Sequence, residues 1–287
     1  MTRAPKDLSQ YLDIVSRIRV DHNGYVSILD ELTQAYDVIG HTATPVFILL
    51  TGESRTGKSS VVREVLDTYH PRHAADRTIQ SVVYAMAPAK ASVKGLLESL
   101  LKGLGDPLWS KGTQSSMTER LHTLLGEVEC KLIILDEFQH LCDRSNADGL
   151  ADWLKVLLES RKYGLIAVGL PNSASVIQQH PQLQGRCDEI LRMPTFDWTD
   201  KASAGEFRAV LKQFQNELRP FLLPDLASRE MGLRFFLATA GRIGLVAKLL
   251  DRAVRTAIRG NRLEIRVEDL AKAYQRAIWG ASTFPVS

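Results

Sequence analysis

The chain has 287 residues and a mass of 32.0 kDa, which is room for about two domains whose apolar cores need neither disulfides nor structural metals. Its 45% hydrophobic and 24% charged residues exclude collagen-like, disordered and disulfide-scaffold proteins. The net charge of +3 is too small to indicate a nucleic-acid partner, but residues 196–287 hold 15 basic and 10 acidic side chains, so the last third is basic.

The cysteines indicate whether the chain holds a structural metal, and the N-terminus indicates its cellular compartment. Cys130, Cys142 and Cys187 form no CxxC pair and no histidine spacing matches a zinc site, so we expect free thiols and no structural metal. The first residues lack a basic segment followed by an apolar run, and no apolar stretch approaches the ~18 residues of a membrane span. We therefore expect a cytoplasmic protein with no membrane partner.

In chain order, the first predicted elements are helical. Apolar residues recur at three- and four-residue spacing over residues 7–39, and a turn at 21–24 interrupts them. Short apolar runs follow, separated by turn residues and longer amphipathic stretches, at residues 46–50, 81–86, 131–135 and 165–168. This alternation predicts an α/β fold with a parallel central sheet flanked by helices.

From about Phe196 the pattern changes to helices alone. Four are predicted, at residues 200–217, 225–239, 242–259 and 266–279. With a break near Pro194, the sequence predicts an α/β domain with an N-terminal helical linker over residues 1–195 and a helical domain over residues 196–287.

The run after the first predicted strand carries the strongest chemical signal. Residues 52–59 read GESRTGKS, which matches GxxxxGK[ST] between a strand and a helix, the context of a P-loop. The glycines let backbone N–H groups face a phosphate chain, Lys58 reaches the β- and γ-phosphates, and the Ser59 hydroxyl is placed to ligate Mg²⁺. We assign ATP to Gly52, Glu53, Ser54, Arg55, Thr56, Gly57, Lys58, Ser59 and Ser60. The alternative is a glycine turn with an incidental lysine.

Two adjacent acids end the third apolar run. Asp136 and Glu137 follow four apolar residues, at the strand end where α/β sheets place their ligands. Asp136 would complete the Mg²⁺ shell, and Glu137 would polarise the attacking water as general base. In isolation such a pair is ordinary turn chemistry, but together with the upstream P-loop the functional interpretation is favoured.

The fourth apolar run ends near a polar residue. In related ATPases a polar side chain at this strand end positions the water or senses the γ-phosphate. Leu170 occupies the nearest position, so Asn172 is the candidate here. The alternative is that Asn172 or Ser173 caps the next helix.

These residues carry a family resemblance. The motif GESRTGKS, the strand LIILDE followed by FQHL, the AVGLP strand end and the later ATAGRIG and LLDRA segments resemble the AAA+ ATPases of DNA transposition, and more narrowly the TniB/TnsC family. The resemblance covers about residues 15–275. It implies a P-loop AAA+ domain with a C-terminal helical lid, and an ATP-dependent regulator that assembles into rings or filaments on duplex DNA. Its implied partners are a transposase and a TniQ-type target selector.

The same resemblance implies further nucleotide contacts. Arg186, with Arg192 as a second candidate, matches the arginine that such ATPases insert into a neighbouring subunit's site, the alternative being a solvated arginine. Arg242 is the closest match to the basic residue at the start of the lid helix, although some relatives carry it three positions later, where this chain has Leu245. His22 lies where the linker passes the adenine, unless it is merely an exposed histidine in a polar turn.

Two segments match the positions that face DNA in this family. Lys90 and Lys94 lie at a loop-to-helix entry, and Lys111 and Thr113 precede another helix. Such groups would bind phosphates rather than bases, because a spreading filament tolerates any sequence. The alternative is that both segments are helix caps with solvent-facing lysines.

Other functional classes remain open. One is a helicase-loader-like ATPase of the DnaC/IstB type or a signalling P-loop ATPase that acts on a protein partner. A small-molecule kinase is disfavoured because no separate acceptor-binding lid precedes the basic helical region.

Overall fold

A computed structural model describes residues 8–42, 44–89, 92–142, 147–159 and 162–276. Within these residues five parallel strands form one sheet, and a short antiparallel ladder pairs Arg72–His73 with Thr78–Ile79. The strands of the main sheet are β1 (Phe47–Thr51), β2 (Val82–Met86), β3 (Leu132–Asp136), β4 (Gly164–Gly169) and β5 (Glu189–Arg192). Their order across the sheet is β2-β3-β4-β1-β5.

The helices flank and follow this sheet. They are α1 (Ile14–Arg17), α2 (Asn23–Val38), α3 (Lys58–Thr68), α4 (Val93–Gly103), α5 (Gln114–Glu127), α6 (Ala147–Glu159), α7 (Ser173–Gln179), α8 (Pro181–Gln184), α9 (Lys201–Glu217), α10 (Arg229–Thr239), α11 (Ile243–Arg259) and α12 (Val267–Gln275). A 3₁₀ turn, Phe138–Cys142, follows β3. None of the described helices is long and apolar enough to cross a membrane.

The sequence prediction of a parallel sheet with flanking helices is confirmed. All four apolar runs are strands, and every residue of β1, β3 and β4 is buried, as expected when helices cover both faces of a parallel sheet. The strand β5 is not among these runs because three of its four residues are at least partly exposed. Its parallel pairing with β1, rather than its apolar content, makes it a strand.

Alternate residues of β1 pack into different cores. Phe47 and Leu49 belong to one buried cluster, whereas Ile48 and Leu50 belong to another on the opposite face. Pairing with β4 on one side and β5 on the other holds β1 in the interior of the sheet. The loop that follows β1 therefore starts from a rigid support at the carboxyl edge.

The contacts divide the chain into two units. The first comprises residues 8–23 and 194–276 of the described chain together with Arg55–Gly57, and the second comprises Gly24–Ser54 and the described part of Lys58–Met193. The sequence prediction places residues 8–23 with the sheet domain. In the structure they group with the C-terminal helices, because Val15 is buried among side chains of α9 and α11.

The C-terminal helices lie within a few residues of their predicted bounds. Asp200 accepts a hydrogen bond from the Ser203 N–H at 2.7 Å and Ser228 one from the Met231 N–H at 3.2 Å, so caps define the starts of α9 and α10. Residues 277–279 of the last predicted helix lie outside the described residues.

The long helix predicted for residues 7–20 is wrong in extent. The described part of this segment holds a 3₁₀ turn, Ser9–Tyr11, and the four-residue α1, after which Ile18 is extended. Isolated helices of this length are marginal, and the periodic apolar residues Leu8 and Val15 are buried by tertiary packing instead. The predicted interruption before α2 is confirmed.

Candidate nucleotide-binding site

The loop between β1 and α3 has the backbone geometry that its glycine pattern predicts. Gly57 has φ of +112°, a conformation that L-residues rarely adopt, and Arg55 has φ of +69°. Among the other assigned loop residues, burial differs: Gly52 and Thr56 are buried, Glu53 and Ser54 are exposed, and Ser60 is half-buried on α3.

Lys58 is the first residue of α3 and closes this loop. Its Nζ donates hydrogen bonds to the carbonyl oxygens of Gly52 at 2.7 Å and Glu53 at 2.8 Å. Burial lowers the pKa of Lys58 below its ordinary value, although the carboxylates of Asp136 and Glu137 act in the opposite direction. The ammonium of Lys58 donates to neutral carbonyl oxygens at the start of α3, where phosphate oxygens would be stronger, charged acceptors and the positive end of the helix dipole also favours an anion.

Asp136 ends β3 in a well-defined environment. It is 9% exposed, its Oδ1 accepts the Glu137 backbone N–H at 2.8 Å, and its Oδ2 accepts the Tyr84 hydroxyl at 3.1 Å. Burial and the neighbouring Asp136 raise the pKa of Tyr84 to about 12, so the tyrosine remains a donor at neutral pH. Sequence reasoning missed Tyr84, because a tyrosine within the run VVYAM is typical of a buried strand.

Ser59 and Asp136 fit a Mg²⁺ ion. Both line a cavity of about 240 Å³, and a hydroxyl together with a carboxylate is the donor set that this hard cation takes alongside phosphate oxygens and water. The cavity is lined by Ser59, Val62, Arg63, Leu66, Tyr84 and Asp136. No cluster of three or more His, Cys, Asp or Glu side chains suited to a metal occurs among the described residues.

Glu137 follows Asp136 in a left-handed conformation, with φ of +57°. Its side chain is 45% exposed, and the His140 Nε2 lies 3.9 Å from its Oε2. The Gln139 side-chain amide donates a hydrogen bond to the same Oε2. Sequence reasoning also missed Gln139, although it lies within the FQHL run that carries part of the family resemblance.

The end of β4 places the predicted sensor residue at the surface. Asn172 is exposed, and its carbonyl oxygen accepts the Ser175 hydroxyl at 2.7 Å. Ser173, the first residue of α7, is fully buried, and its Oγ has no hydrogen-bond partner among the described residues, so Ser173 does not cap this helix. The role of Asn172 stays a prediction.

Arg186 is engaged within its own unit rather than free in solvent. Its Nη2 donates to Glu159 Oε1 at 2.6 Å, and its side chain is 23% exposed. The second candidate, Arg192, is the exposed last residue of β5. If Arg186 serves a neighbouring subunit, the ion pair with Glu159 has to open first.

In the other unit, Arg242 precedes α11. It is half-buried, and its Nε donates to the Thr239 carbonyl oxygen at 3.4 Å. Leu245, at the alternative sensor position, is 6% exposed and buried in the helical unit. The sensor role of Arg242 stays a prediction. The next glycine, Gly244, donates its N–H to the Arg55 carbonyl oxygen at 2.8 Å within the same unit.

The interpretation of His22 as an exposed turn residue is wrong. Its side chain is 6% exposed, and its ring lies edge-on to Phe196 at 5.3 Å between centroids. Hydrogen bonds from the Asp21 N–H to Gln213 at 2.9 Å and from the Asn23 N–H to Glu206 at 2.5 Å hold the segment against α9. Contact with adenine stays a prediction.

Burial lowers the pKa of His22 below 6.5, although Glu206 and Asp21 oppose this shift. The unfolded chain therefore binds the proton more readily, so the stability that His22 contributes is present above pH 6.5 and is lost as pH falls through the folded pKa. We expect the melting temperature to fall between pH 7.5 and 5.5, and to fall less in His22→Gln. The matched control is His41→Gln at an exposed histidine; an equal pH dependence in all three proteins would contradict the prediction.

The DNA candidates divide into capping groups and exposed lysines. Thr113 caps α5 by accepting the Ser116 N–H at 3.3 Å, so the capping alternative is confirmed for its hydroxyl. Lys94 and Lys111 are exposed, whereas Lys90 lies outside the described residues.

Hydrogen bonds from Arg120 hold the loop that carries Lys111. Arg120 donates to Asp106 Oδ2 at 2.8 Å and to the backbone oxygens of Leu108 at 2.8 Å and Lys111 at 3.1 Å. Burial acts to raise the pKa of Asp106, but hydrogen bonds from Leu108 and Arg120 outweigh it, and the pKa lies below its ordinary value. Lys111 thus projects from an ordered loop.

The sheet order and the P-loop define this protein as a member of the AAA+ fold class. The chain is similar to the Aeropyrum pernix ORC2 protein solved in ADPNP-ADP complexes, with a TM-score of 0.68 and 15% identity over 92% of this chain and 71% of that one. It is also similar to the Aeropyrum pernix ORC1 protein solved in complex with DNA, with a TM-score of 0.67 and 18% identity over 91% of this chain and 68% of that one. At 15% and 18% identity, the similarity to these two structures establishes a shared fold and nothing more.

A family model described as bacterial TniB protein matches residues 14–198, and the chain belongs to the TniB family. The resemblance stated from the sequence is therefore confirmed. The chain is also 30% identical over 152 residues to the DNA mismatch repair protein MutS of Chlamydia trachomatis. That match covers 51% of this chain but only 17% of MutS, so the chain spans a small part of these curated relatives.

Proposed function

We propose that this protein is an ATP-dependent regulator of DNA transposition that assembles as a ring or helical filament on duplex DNA, marks the target and recruits the transposase. The observation that carries the proposal is the placement of Lys58 beside Asp136 and Glu137 in a chain of the TniB family. The structural neighbours solved with nucleotide and with DNA support the choice of both ligands.

In the proposed mechanism the loop binds the phosphates through its backbone N–H groups and the Lys58 ammonium. Ser59 and Asp136 would hold Mg²⁺, and Tyr84 orients the Asp136 carboxylate through the hydrogen bond to Oδ2. The chemistry that Mg²⁺ supplies when bound is neutralisation of phosphate charge. Glu137, whose carboxylate is partly open to solvent, takes the proton from the attacking water.

The proposal also includes four further residues that contact the nucleotide or the attacking water. Arg242 and His22 contact the γ-phosphate and the adenine, and Asn172 orients the water. Arg186 leaves Glu159 and stabilises the charge that develops on the γ-phosphate of a neighbouring subunit. Because this arginine acts on a neighbouring subunit, hydrolysis depends on assembly. In the free protein the ion pair with Glu159 holds Arg186 instead.

The proposed DNA contacts are electrostatic. Lys94 and Lys111 are exposed, so their ammonium groups could turn toward phosphate oxygens. Lys90 and Thr113 remain in the proposed interface, with the Thr113 hydroxyl already used as a helix cap. The proposed protein partners, a transposase and a TniQ-type selector, follow from the family alone.

Lys111→Gln is expected to weaken binding to duplexes of unrelated sequence by similar factors. The slope of log affinity against log salt should become shallower by about 0.9, because one phosphate contact is removed. Fluorescence anisotropy with labelled duplexes and a slowly hydrolysed ATP analogue measures both quantities. Lys201→Gln, at an exposed lysine of α9, is the matched control. A changed sequence preference would contradict the assignment.

Negative-stain imaging tests the proposal as a whole. The protein with duplex DNA and a slowly hydrolysed ATP analogue is expected to form rings or continuous helices on the DNA. Monomers that ignore DNA in every nucleotide state would overturn the proposal. ATP turnover that responds to a protein and not to duplex DNA would instead favour the helicase-loader-like or signalling class.

A further inference from the structure

Gln139 makes two hydrogen bonds from opposite ends of one carboxamide. It lies in the 3₁₀ turn directly after β3, where its Nε2 donates to Glu137 Oε2. Its Oε1 accepts the backbone N–H of Leu170, the residue after β4, at 3.0 Å. The carboxylate of Glu137 is therefore tied, through one side chain, to the end of a neighbouring strand.

The chemistry of the two partners fixes the orientation of this carboxamide. An ionised carboxylate only accepts hydrogen bonds and a backbone N–H only donates. A glutamine rotated by 180° would lose both bonds at once. The arrangement thus needs a side chain of this length with a donor and an acceptor.

Gly169 leaves room for the carboxamide. A Cβ at this position would lie 3.0 Å from Gln139 Oε1 and would collide with the Ser173 hydroxyl. Every residue of β4 is buried, so the backbone at this point has little freedom to move away. The end of β4 therefore has no room for a side chain at Gly169, chiefly because of Ser173 and also because of the Gln139 carboxamide.

We propose that Gln139 is a positioning residue that holds the Glu137 carboxylate for water activation and couples it to the segment from Leu170 to Asn172. A shift of that segment on nucleotide binding would move the carboxamide and, with it, the general base. The inference rests on the proposed ATPase function, and it adds a residue for which the sequence predicts no role. Gln139 need not touch nucleotide, because it acts through Glu137.

The test separates the two hydrogen bonds. Gln139→Glu has the same length and keeps an acceptor for the Leu170 N–H, but it has no donor and adds a negative charge beside Glu137. Gln139→Ala loses both bonds. The matched control is Gln34→Glu, at an exposed glutamine on α2. Circular dichroism melts identify any variant that fails to fold.

Both Gln139 variants are expected to lower kcat for ATP at least about tenfold, with the Kd of an ATP analogue within about twofold of the unmodified protein. In a Glu137→Gln background, Gln139→Ala should add no further loss, since the group that it positions is already removed. In the nucleotide-free protein, hydrogen exchange at the Leu170 N–H should be about tenfold faster in Gln139→Ala and nearly unchanged in Gln139→Glu.

An unchanged kcat in Gln139→Glu would overturn the inference while leaving the ATPase intact. Equal losses in kcat and nucleotide affinity would also overturn it, because they indicate a merely structural residue. An unmodified protein that binds DNA but does not hydrolyse ATP would overturn both the inference and the proposed ATPase, and the Leu170 exchange rates would still show whether the carboxamide holds the β4 end.

Discussion

Lys58→Ala is expected to abolish ATP binding and, with it, assembly on duplex DNA. The ammonium donates hydrogen bonds to the carbonyl oxygens of Gly52 and Glu53, and it interacts electrostatically with the Asp136 carboxylate. An alanine at this position offers no cation to the phosphates, and loss of two or more charge-assisted hydrogen bonds costs about 3 kcal/mol or more, which is roughly a hundredfold in Kd. Calorimetry with ATP and Mg²⁺ measures the loss.

Lys201→Ala is the control for Lys58→Ala, because it removes an equally positive but exposed side chain at the start of α9. The control should bind ATP as the unmodified protein does. A Kd for Lys58→Ala within threefold of the unmodified value would mean that the loop does not bind the triphosphate, and the proposed function would lose its main support.

Glu137→Gln is expected to separate binding from hydrolysis. The amide has the same shape as the carboxylate but cannot accept a proton from water, so kcat should fall by about 10²-fold or more, the usual range for a lost general base. The Kd for ATP should change little, because Glu137 is adjacent to the proposed metal ligand Asp136 and is not itself one. The variant should accumulate on DNA in the ATP state, which co-sedimentation with duplex DNA measures.

The matched control for Glu137→Gln is Glu119→Gln, at an exposed position of α5. It removes the same charge elsewhere in the same unit. If Glu137→Gln turned over ATP at the unmodified rate, the general base would have to be another group. If it hydrolysed slowly yet left DNA as fast as the unmodified protein, release would not depend on hydrolysis.

Much of the sheet could be predicted because the apolar composition of its strands matches the buried environment that the fold gives them. The runs that became β1, β3 and β4 are apolar throughout, and burial on both faces of a parallel sheet requires that composition. The P-loop was equally predictable, since positive φ at Gly57 and the lysine at the first turn of α3 follow from local covalent chemistry.

Prediction failed where distant contacts decide the conformation. Residues 8–20 carry a helical pattern, but their apolar side chains pack against the C-terminal helices and only short helical turns form. His22 stands in a polar stretch of sequence, yet Phe196 and two hydrogen-bonded flanking residues bury it. Local propensity is too weak to decide such segments.

By itself the sequence determined the chemical inventory: a P-loop motif, two adjacent acids at the end of an apolar run, and a basic helical end, because each depends on residue type and short spacing. Only the tertiary structure decided that Tyr84 bonds to Asp136, that Gln139 bridges Glu137 and the end of β4, and that Arg186 is paired with Glu159. Each of these contacts joins separate elements through backbone or side-chain atoms whose proximity is created by sheet register and helix packing, and no local pattern encodes it.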